Sequence, residues 1–298
     1  MSTTLFIGLG NMGSPMALLH ARAFPTAVFD LSADAVAHVT GESPATAVAD
    51  LAELPEGVDT VILMLPTSRH VERVLRGDDG LFARLPEGAL VIDMGSSEPG
   101  STRELAAEGA TRSIDYVDAP VSGGVIKAVS GELAIMVGGA DDAVARAMSH
   151  LEVLGGSIVH VGPAGAGDAA KALNNLVSAS NIAVASEALV VAESFGIEPA
   201  TMIEVLNAAT GRSQSSELKF PRYVLTGTFD SGFAYDLMLK DITIAMGMTD
   251  GLDIPVTRTV FDRLRDGRPQ LGDHPDHTEI ARLYGLGENR TTSQEENE

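Results

Sequence analysis

The chain has 298 residues, enough for two domains rather than one small core. Its formal charge of −21, from 41 acidic against 20 basic residues, argues against a nucleic-acid binder, because phosphate contacts need clustered Lys and Arg. It also means that an acidic substrate would require a locally basic pocket. With no cysteine, disulfides, thiolate nucleophiles and cysteine-ligated zinc are excluded.

Met1-Ser2-Thr3-Thr4 leads straight into an apolar strand, without a basic n-region or a small-residue cleavage site. No continuous apolar run reaches the ~18 residues expected of a membrane span. The cytoplasm is the expected location. From there, short β-rich runs alternate with helical stretches. Leu5-Phe6-Ile7 precedes a glycine turn, and Ala27-Val28-Phe29 ends at Asp30. Val61 to Leu65 stops at Pro66, Leu90-Val91-Ile92 stops at Asp93, and Tyr116-Val117 leads into Asp118-Ala119-Pro120. Leu133 to Val137 and Ile158 to Val161 read as further strands. Continuous apolar strands separated by helices are what a parallel sheet covered on both faces requires, so residues 1–163 are expected to form a doubly wound α/β domain.

After Gly167 the texture changes. Asp168 to Phe195 contains neither Pro nor Gly and predicts one helix of roughly 28 residues, about 40 Å long, suited to linking two domains. Helical segments punctuated by Pro199, Gly211, Pro221 and Pro255 follow, with a helix start expected at Pro199. Residues 164–287 thus read as an all-helical domain beginning with the linking helix. The polar acidic tail, 288–298, is expected to be disordered.

Gly8-Leu9-Gly10-Asn11-Met12-Gly13 fits GxGxxG. It follows a strand and opens a helical stretch, and Asp30 comes 22 residues after Gly8 at the end of the next strand, the setting of a dinucleotide-binding turn. Gly8 allows the tight turn, Gly10 lets backbone approach a pyrophosphate, and Gly13 lets helix pack on strand. The helix N-terminus offers its N–H groups to the phosphates. A carboxylate at Asp30 accepts from ribose hydroxyls and repels a 2′-phosphate. Neither Leu31 nor Ser32 supplies an Arg, so the expected cofactor is NAD rather than NADP.

Several motifs then coincide. Gly8 to Ala17 (GLGNMGSPMA), Met64 to Ser68 (MLPTS), Asp118 to Gly124 (DAPVSGG), Gly162 to Gly167 (GPAGAG) with Lys171, Asn174 and Asn175, and Leu239-Lys240-Asp241 occur in this order over about residues 5–285. Together they resemble the β-hydroxyacid dehydrogenases, the 3-hydroxyisobutyrate dehydrogenase family. The resemblance implies a Rossmann-type domain with a parallel-rich sheet, a long interdomain helix, an all-α C-terminal domain and a homodimer or homotetramer. It implies that Leu65, Pro66 and Ser96 line the cofactor and that Lys240 sits near the nicotinamide. Ser122, Gly123 and Gly124 would hold the substrate carboxylate, Asn174 and Asn175 would bind substrate, and Lys171 would transfer the proton. Three positions depart from the family pattern: Leu19 for Asn in the first helix, Gly95-Ser96 for Ser-Thr, and Gln214 for an aromatic.

The chemistry fits these residue types. Oxidising a hydroxy acid sends a hydride to NAD and a proton to a base, with an anchor for the carboxylate. A lysine of ordinary pKa, about 10.4, is a poor base at neutral pH. Lys171 therefore needs burial and the neighbouring positive charge of Lys240 and the oxidised nicotinamide to lower it. By pattern alone an exposed lysine on a long helix is the commoner outcome, a plain Gly-rich turn competes at residues 122–124, and a surface salt bridge to Asp236 or Asp241 competes at Lys240. The leading expectation is oxidation of 3-hydroxyisobutyrate to methylmalonate semialdehyde, as in valine catabolism. The alternatives are a reductase of another small semialdehyde or of glyoxylate, such as tartronate semialdehyde reductase, and a non-catalytic dinucleotide-binding protein. No metal site is expected. His274-Pro275-Asp276-His277 reads as a solvated loop, and Asp250-Gly251-Leu252-Asp253 as a helix-ending turn.

Overall fold

A computed structural model describes residues 2–287; the acidic tail lies outside them. The chain divides into two compact units within one helix, after Lys171.

The first unit is built on a sheet in which β1 (Thr3–Ile7), β2 (Thr26–Phe29), β3 (Thr46–Ala47), β4 (Val58–Leu63), β5 (Leu90–Asp93) and β6 (Asp115–Asp118) run parallel in the order β3-β2-β1-β4-β5-β6. The helices between them are α1 (Gly13–Ala23), α2 (Ala33–Glu42), α3 (Ser68–Leu75) and α4 (Pro99–Ala110). Strand residues alternate between two buried clusters. Phe6, Ile62 and Ile92 pack with Met16 and Ala17 of α1, whereas Leu5, Val61 and Val91 pack with Val71 of α3 and Leu105 of α4. Burial on both faces explains why these strands read as continuous apolar runs. The chain proceeds outward from β1 to β3 and then restarts at β4 on the other side of β1, leaving a crevice where α/β sheets take their ligands.

Beyond β6 the sheet is no longer parallel. The two-residue β7 (Val121–Ser122) and the short α5 (Gly124–Ser130) return the chain as β8 (Leu133–Gly138), antiparallel to β6 and β7. A return to a parallel strand needs a crossover of a dozen or more residues, which the short connection through α5 does not provide. The longer α6 (Asp141–Leu154) does provide it, and β9 (Gly155–Gly162) pairs parallel with β8. Strands β3 and β7 are too short to carry a hydrophobic pattern and were not legible in sequence.

α7 (Ala166–Ser194) has 29 residues, as its Gly/Pro-free stretch predicts. It is long and apolar enough, by length and composition, to cross a membrane. Here Leu176, Ala179, Ile182, Ala183 and Leu189 instead form part of the second unit's core, with Phe220, Met238 and Ile242. The other helices of that unit are α8 (Pro199–Ala208), α9 (Tyr235–Gly247) and α10 (Pro255–Gly267). The turn at Asp250–Asp253 separates α9 from α10, as expected. Pro221 does not interrupt its helix: it lies inside the π-helical segment Ser215–Val224. A widened turn accommodates a residue that cannot complete the ordinary ladder.

The expected solvated loop at His274–His277 is a correction. His277 and Asp276 are buried, and Asp276 accepts from Ser231 Oγ, Gly232 N and the backbone and hydroxyl of Thr278. Although burial pushes the carboxyl up, bonds from His277 and Thr278 outweigh it and hold Asp276 below the usual carboxylate range. The segment is a helix cap. No group of three potential metal ligands occurs among the described residues.

Candidate active site

The residues singled out in the first unit gather at the C-terminal ends of the parallel strands. Gly8 follows β1 with a φ of +96°. A Cβ at Gly13 would overlap the Gly8 carbonyl oxygen, so only glycine lets α1 begin this close to the strand. Asp30, at the end of β2, accepts from Leu9 N at 2.7 Å and from Ser32 N at 2.8 Å. The Leu9 side chain is buried in the core. Leu9 thus anchors the turn, its side chain in the core and its N–H on the Asp30 carboxylate. A Cβ on Gly10 would meet nothing within 4 Å. The start of α1 has no side-chain cap and no acidic residue in its first turn. An open glycine face, an uncapped helix start without negative charge and an oriented carboxylate are what a dinucleotide requires.

Leu65 and Pro66 follow β4, and Ser96 follows β5. Gly95 N donates to Asp93 Oδ1 at 3.0 Å, so this departure from the family pattern belongs to the turn that presents Ser96. Leu19 packs against the core cluster of α1 and the sheet, where an Asn would leave its amide among apolar groups. Gln214 is exposed just before the π-helical segment.

Three buried carboxylates tie these strand ends to α7. Asp118, at the end of β6, accepts from Gly165 N at 2.8 Å and Asp168 N at 3.0 Å. Asp168 accepts from Ser97 N at 2.9 Å and Thr102 Oγ1 at 2.7 Å. Asp93 accepts from Ser97 Oγ at 2.9 Å and Tyr116 OH at 3.1 Å. Burial raises all three: Asp93 to about 6, Asp118 above its ordinary value, and Asp168 well above it, with the charges of Asp93 and Asp118 adding to the last. None was singled out in the sequence reading, although Asp118 opens one quoted motif and Asp168 stands one turn before Lys171. An acidic residue at the C-terminal end of a buried strand was the available signal.

Lys171, expected by pattern alone to be exposed, is only 7% exposed. Asn175 follows one helical turn later at 5%, on the same face of α7. In the second unit, Asn175 Nδ2 donates to Asp241 Oδ2 at 2.6 Å, Asn174 Nδ2 donates to Asn175 Oδ1 at 3.1 Å, and Lys240 Nζ lies 3.3 Å from Asp241 Oδ1. Asp236, the other expected partner of Lys240, pairs with Arg268. Ser122 sits in β7, with Gly123 and Gly124 opening α5 at φ +139° and +70°.

Comparison with known proteins shows the family. Residues 3–162 match the NAD-binding domain family of 6-phosphogluconate dehydrogenase. Residues 165–284 match the NAD-binding domain of NADP-dependent 3-hydroxyisobutyrate dehydrogenase. The chain is 38% identical over 282 residues to 2-(hydroxymethyl)glutarate dehydrogenase of Eubacterium barkeri, covering 94% of this chain and 93% of that protein. It is 37% identical to 3-hydroxyisobutyrate dehydrogenase of Pseudomonas aeruginosa, covering 83% of this chain and 85% of that one. Among solved structures, Mycobacterium tuberculosis 3-hydroxyisobutyrate dehydrogenase with L-serine superposes with a TM-score of 0.86 at 32% identity, covering 95% of this chain and 98% of that one. The chain belongs to the β-hydroxyacid dehydrogenase family and is an enzyme of its NAD(P)-dependent hydroxyacid dehydrogenase type.

Proposed function

We propose that this enzyme uses NAD to oxidise small acids of the form HOCH2–CH(R)–COO−, with 3-hydroxyisobutyrate, giving methylmalonate semialdehyde, as the first substrate to test. 3-Hydroxyisobutyrate, L-serine, D-glycerate and 2-(hydroxymethyl)glutarate share this frame and differ only in R. The observation carrying the reading is Lys171: a buried lysine one turn before Asn175, on a helix whose first turn is fastened by Asp118 to the end of β6.

NAD bound along Gly8–Gly13 and Asp30, against Leu65, Pro66 and Ser96, supplies the hydride acceptor. Lys171, as the neutral amine, would take the hydroxyl proton while the carbon-bound hydrogen leaves with its electron pair as the hydride that bound NAD would accept, so the C–O bond becomes a carbonyl. The Ser122 hydroxyl and the backbone N–H groups of Gly123 and Gly124 hold the carboxylate. Asn175 gives one amide hydrogen to Asp241 and keeps the other for the substrate oxygen, with Asn174 holding its carbonyl. Lys240, paired with Asp241, supplies positive charge. Asp30, followed by Leu31 without an Arg, favours NAD over NADP.

We further propose a homo-oligomer. Val177, Val184 and Val191 recur every seven residues on α7, and all three are exposed. With Phe195, Ile197 and Met202 the latter two border an apolar groove, a surface that a second copy would cover. Analytical ultracentrifugation should show a dimer or tetramer; a monomer at micromolar concentration would sink this part.

The decisive test of the activity is NAD reduction across the four acids, with the Lys171→Ala variant alongside. Turnover of at least one, abolished in a variant that still binds NAD, is the expected result. Binding of NAD without turnover of any of them would favour a non-catalytic dinucleotide-binding protein.

A further inference from the structure

Only four of the 20 basic residues are lysines: Lys127, Lys171, Lys219 and Lys240. Lys171 and Lys240 already have roles in the function proposed above. Lys127 lies on α5, one turn after Gly123. A Cβ added at Gly123 would fall 2.7 Å from Lys127 Cδ and 2.8 Å from its Cβ. The aliphatic stem therefore lies directly over the glycine assigned to the substrate carboxylate, and the absence of a side chain at Gly123 makes room for it. α5 ends at Gly131, whose N–H bonds to the Lys127 carbonyl, as does that of Glu132, so the backbone of Lys127 is held. The residue is exposed. In a chain with 41 carboxylic side chains, Lys127 forms no ion pair among the described residues.

We infer that Lys127 reads the side arm R of the substrate, favouring an acid with a second carboxylate, a 2-(hydroxymethyl) dicarboxylate, over one with a neutral or cationic R. The inference rests on the function proposed above and names the substrate class within it. With the first carboxylate on Ser122, Gly123 and Gly124, a carboxyl-ended arm meets an ammonium whose stem is packed beside that same cradle. The pairing is charge-assisted and directional. In a chain of net charge −21, a local cation is what allows a dianion to compete for the site. A methyl arm gains nothing from Lys127, and the ammonium arm of serine is repelled.

The test compares wild type with Lys127→Met, which keeps the apolar stem, and Lys127→Arg, which keeps the charge. The first readout is calorimetric binding of glutarate and of butyrate to the NAD-loaded enzyme. The second is the ratio of kcat/KM for 2-(hydroxymethyl)glutarate over 3-hydroxyisobutyrate. Wild type should bind glutarate about tenfold more tightly than butyrate. In Lys127→Met both that preference and the kcat/KM ratio should fall by about the same factor, with Lys127→Arg retaining most of them. Equal losses on both acids in Lys127→Met would make Lys127 a general carboxylate anchor and overturn the inference. So would wild type binding glutarate no more tightly than butyrate. Should wild type prefer glutarate, lose that preference in Lys127→Met, and yet oxidise none of the hydroxy acids, the assignment of Lys127 would stand and the proposed reaction would fall.

Discussion

Asp118 and Asp168 are joined by a backbone hydrogen bond of 3.0 Å, from the N–H of Asp168 to the carboxylate of Asp118. With the parallel bond from Gly165 N, it makes the end of β6 and the first turn of α7 one buried joint. Beyond β6 the chain runs on to Ser122 in β7, and α7 runs on to Lys171. The geometry of the proposed carboxylate holder and of the proposed base therefore depends on one buried carboxylate.

Replacing Asp118 with Ala should leave those two buried N–H groups without an acceptor. A loss of about 2–4 kcal/mol in stability is expected. Turnover should drop by about 100-fold through displacement of Lys171, with NAD affinity less affected. Asp118→Asn keeps one acceptor oxygen and should fall between the two. Urea unfolding and NAD titration on both variants would check this; wild-type turnover in Asp118→Ala would exclude the positioning role.

At the cofactor end, Gly13→Ala forces a methyl onto the Gly8 carbonyl. The turn must open, which should cost about 2 kcal/mol or more and weaken NAD binding by at least about tenfold. Fluorescence titration with NADH measures the second effect. Gly10→Ala, where a Cβ meets no protein atom within 4 Å, should leave stability intact while still weakening NAD binding.

Cofactor choice is open to a direct test, because Leu31 beside Asp30 is 94% exposed and its replacement disturbs no core. Asp30→Ser with Leu31→Arg removes the carboxylate and adds a guanidinium suited to a 2′-phosphate. The ratio of kcat/KM for NADP over NAD should rise by about 100-fold or more. A wild-type enzyme already preferring NADP would contradict the role given to Asp30.

His20 predicts an acid-sensitive fold. It is fully buried, stacked on Phe24 and His150 and bonded to Thr26 Oγ1 at 2.9 Å. Burial, and then the charge of His150, lower it to about 3. An unfolded histidine takes up its proton near pH 6.5, whereas the folded one does not until about pH 3. The stability it supports is therefore complete above pH 6.5 and is lost as pH falls, by roughly 3 kcal/mol at pH 4. Asp93, raised by burial to about 6, acts with the opposite sign, since the folded state keeps a proton that the unfolded chain releases near pH 4. It costs stability as pH rises through that range. His20→Phe should flatten the acid limb of a stability–pH curve, and Asp93→Asn should flatten the opposing one. If wild type loses no more stability than His20→Phe between pH 7 and 4.5, His20 is not the sensor.

Much of this protein was legible along the chain. The glycine turn, the strand of apolar residues before it and Asp30 after it form a local unit, and the uninterrupted run from Asp168 to Phe195 dictated α7. These features depend on backbone sterics and on burial of both sheet faces, which act over a few residues and leave a pattern. What the tertiary structure decided was which polar groups meet. Asp118 and Asp168 are 50 residues apart, Asn175 and Asp241 are 66 apart, and the Leu9 N–H is tied to Asp30 across 21 residues. The reversal of β8, the π-helical accommodation of Pro221 and the burial of Asp276 and His277 are likewise settled by what packs against them. Hydrogen bonds between distant carboxylates and backbone N–H groups follow no period in sequence. Only the assembled sheet and helix place donor, acceptor and low-dielectric surroundings together, and so give Lys171 the burial that its proposed role requires.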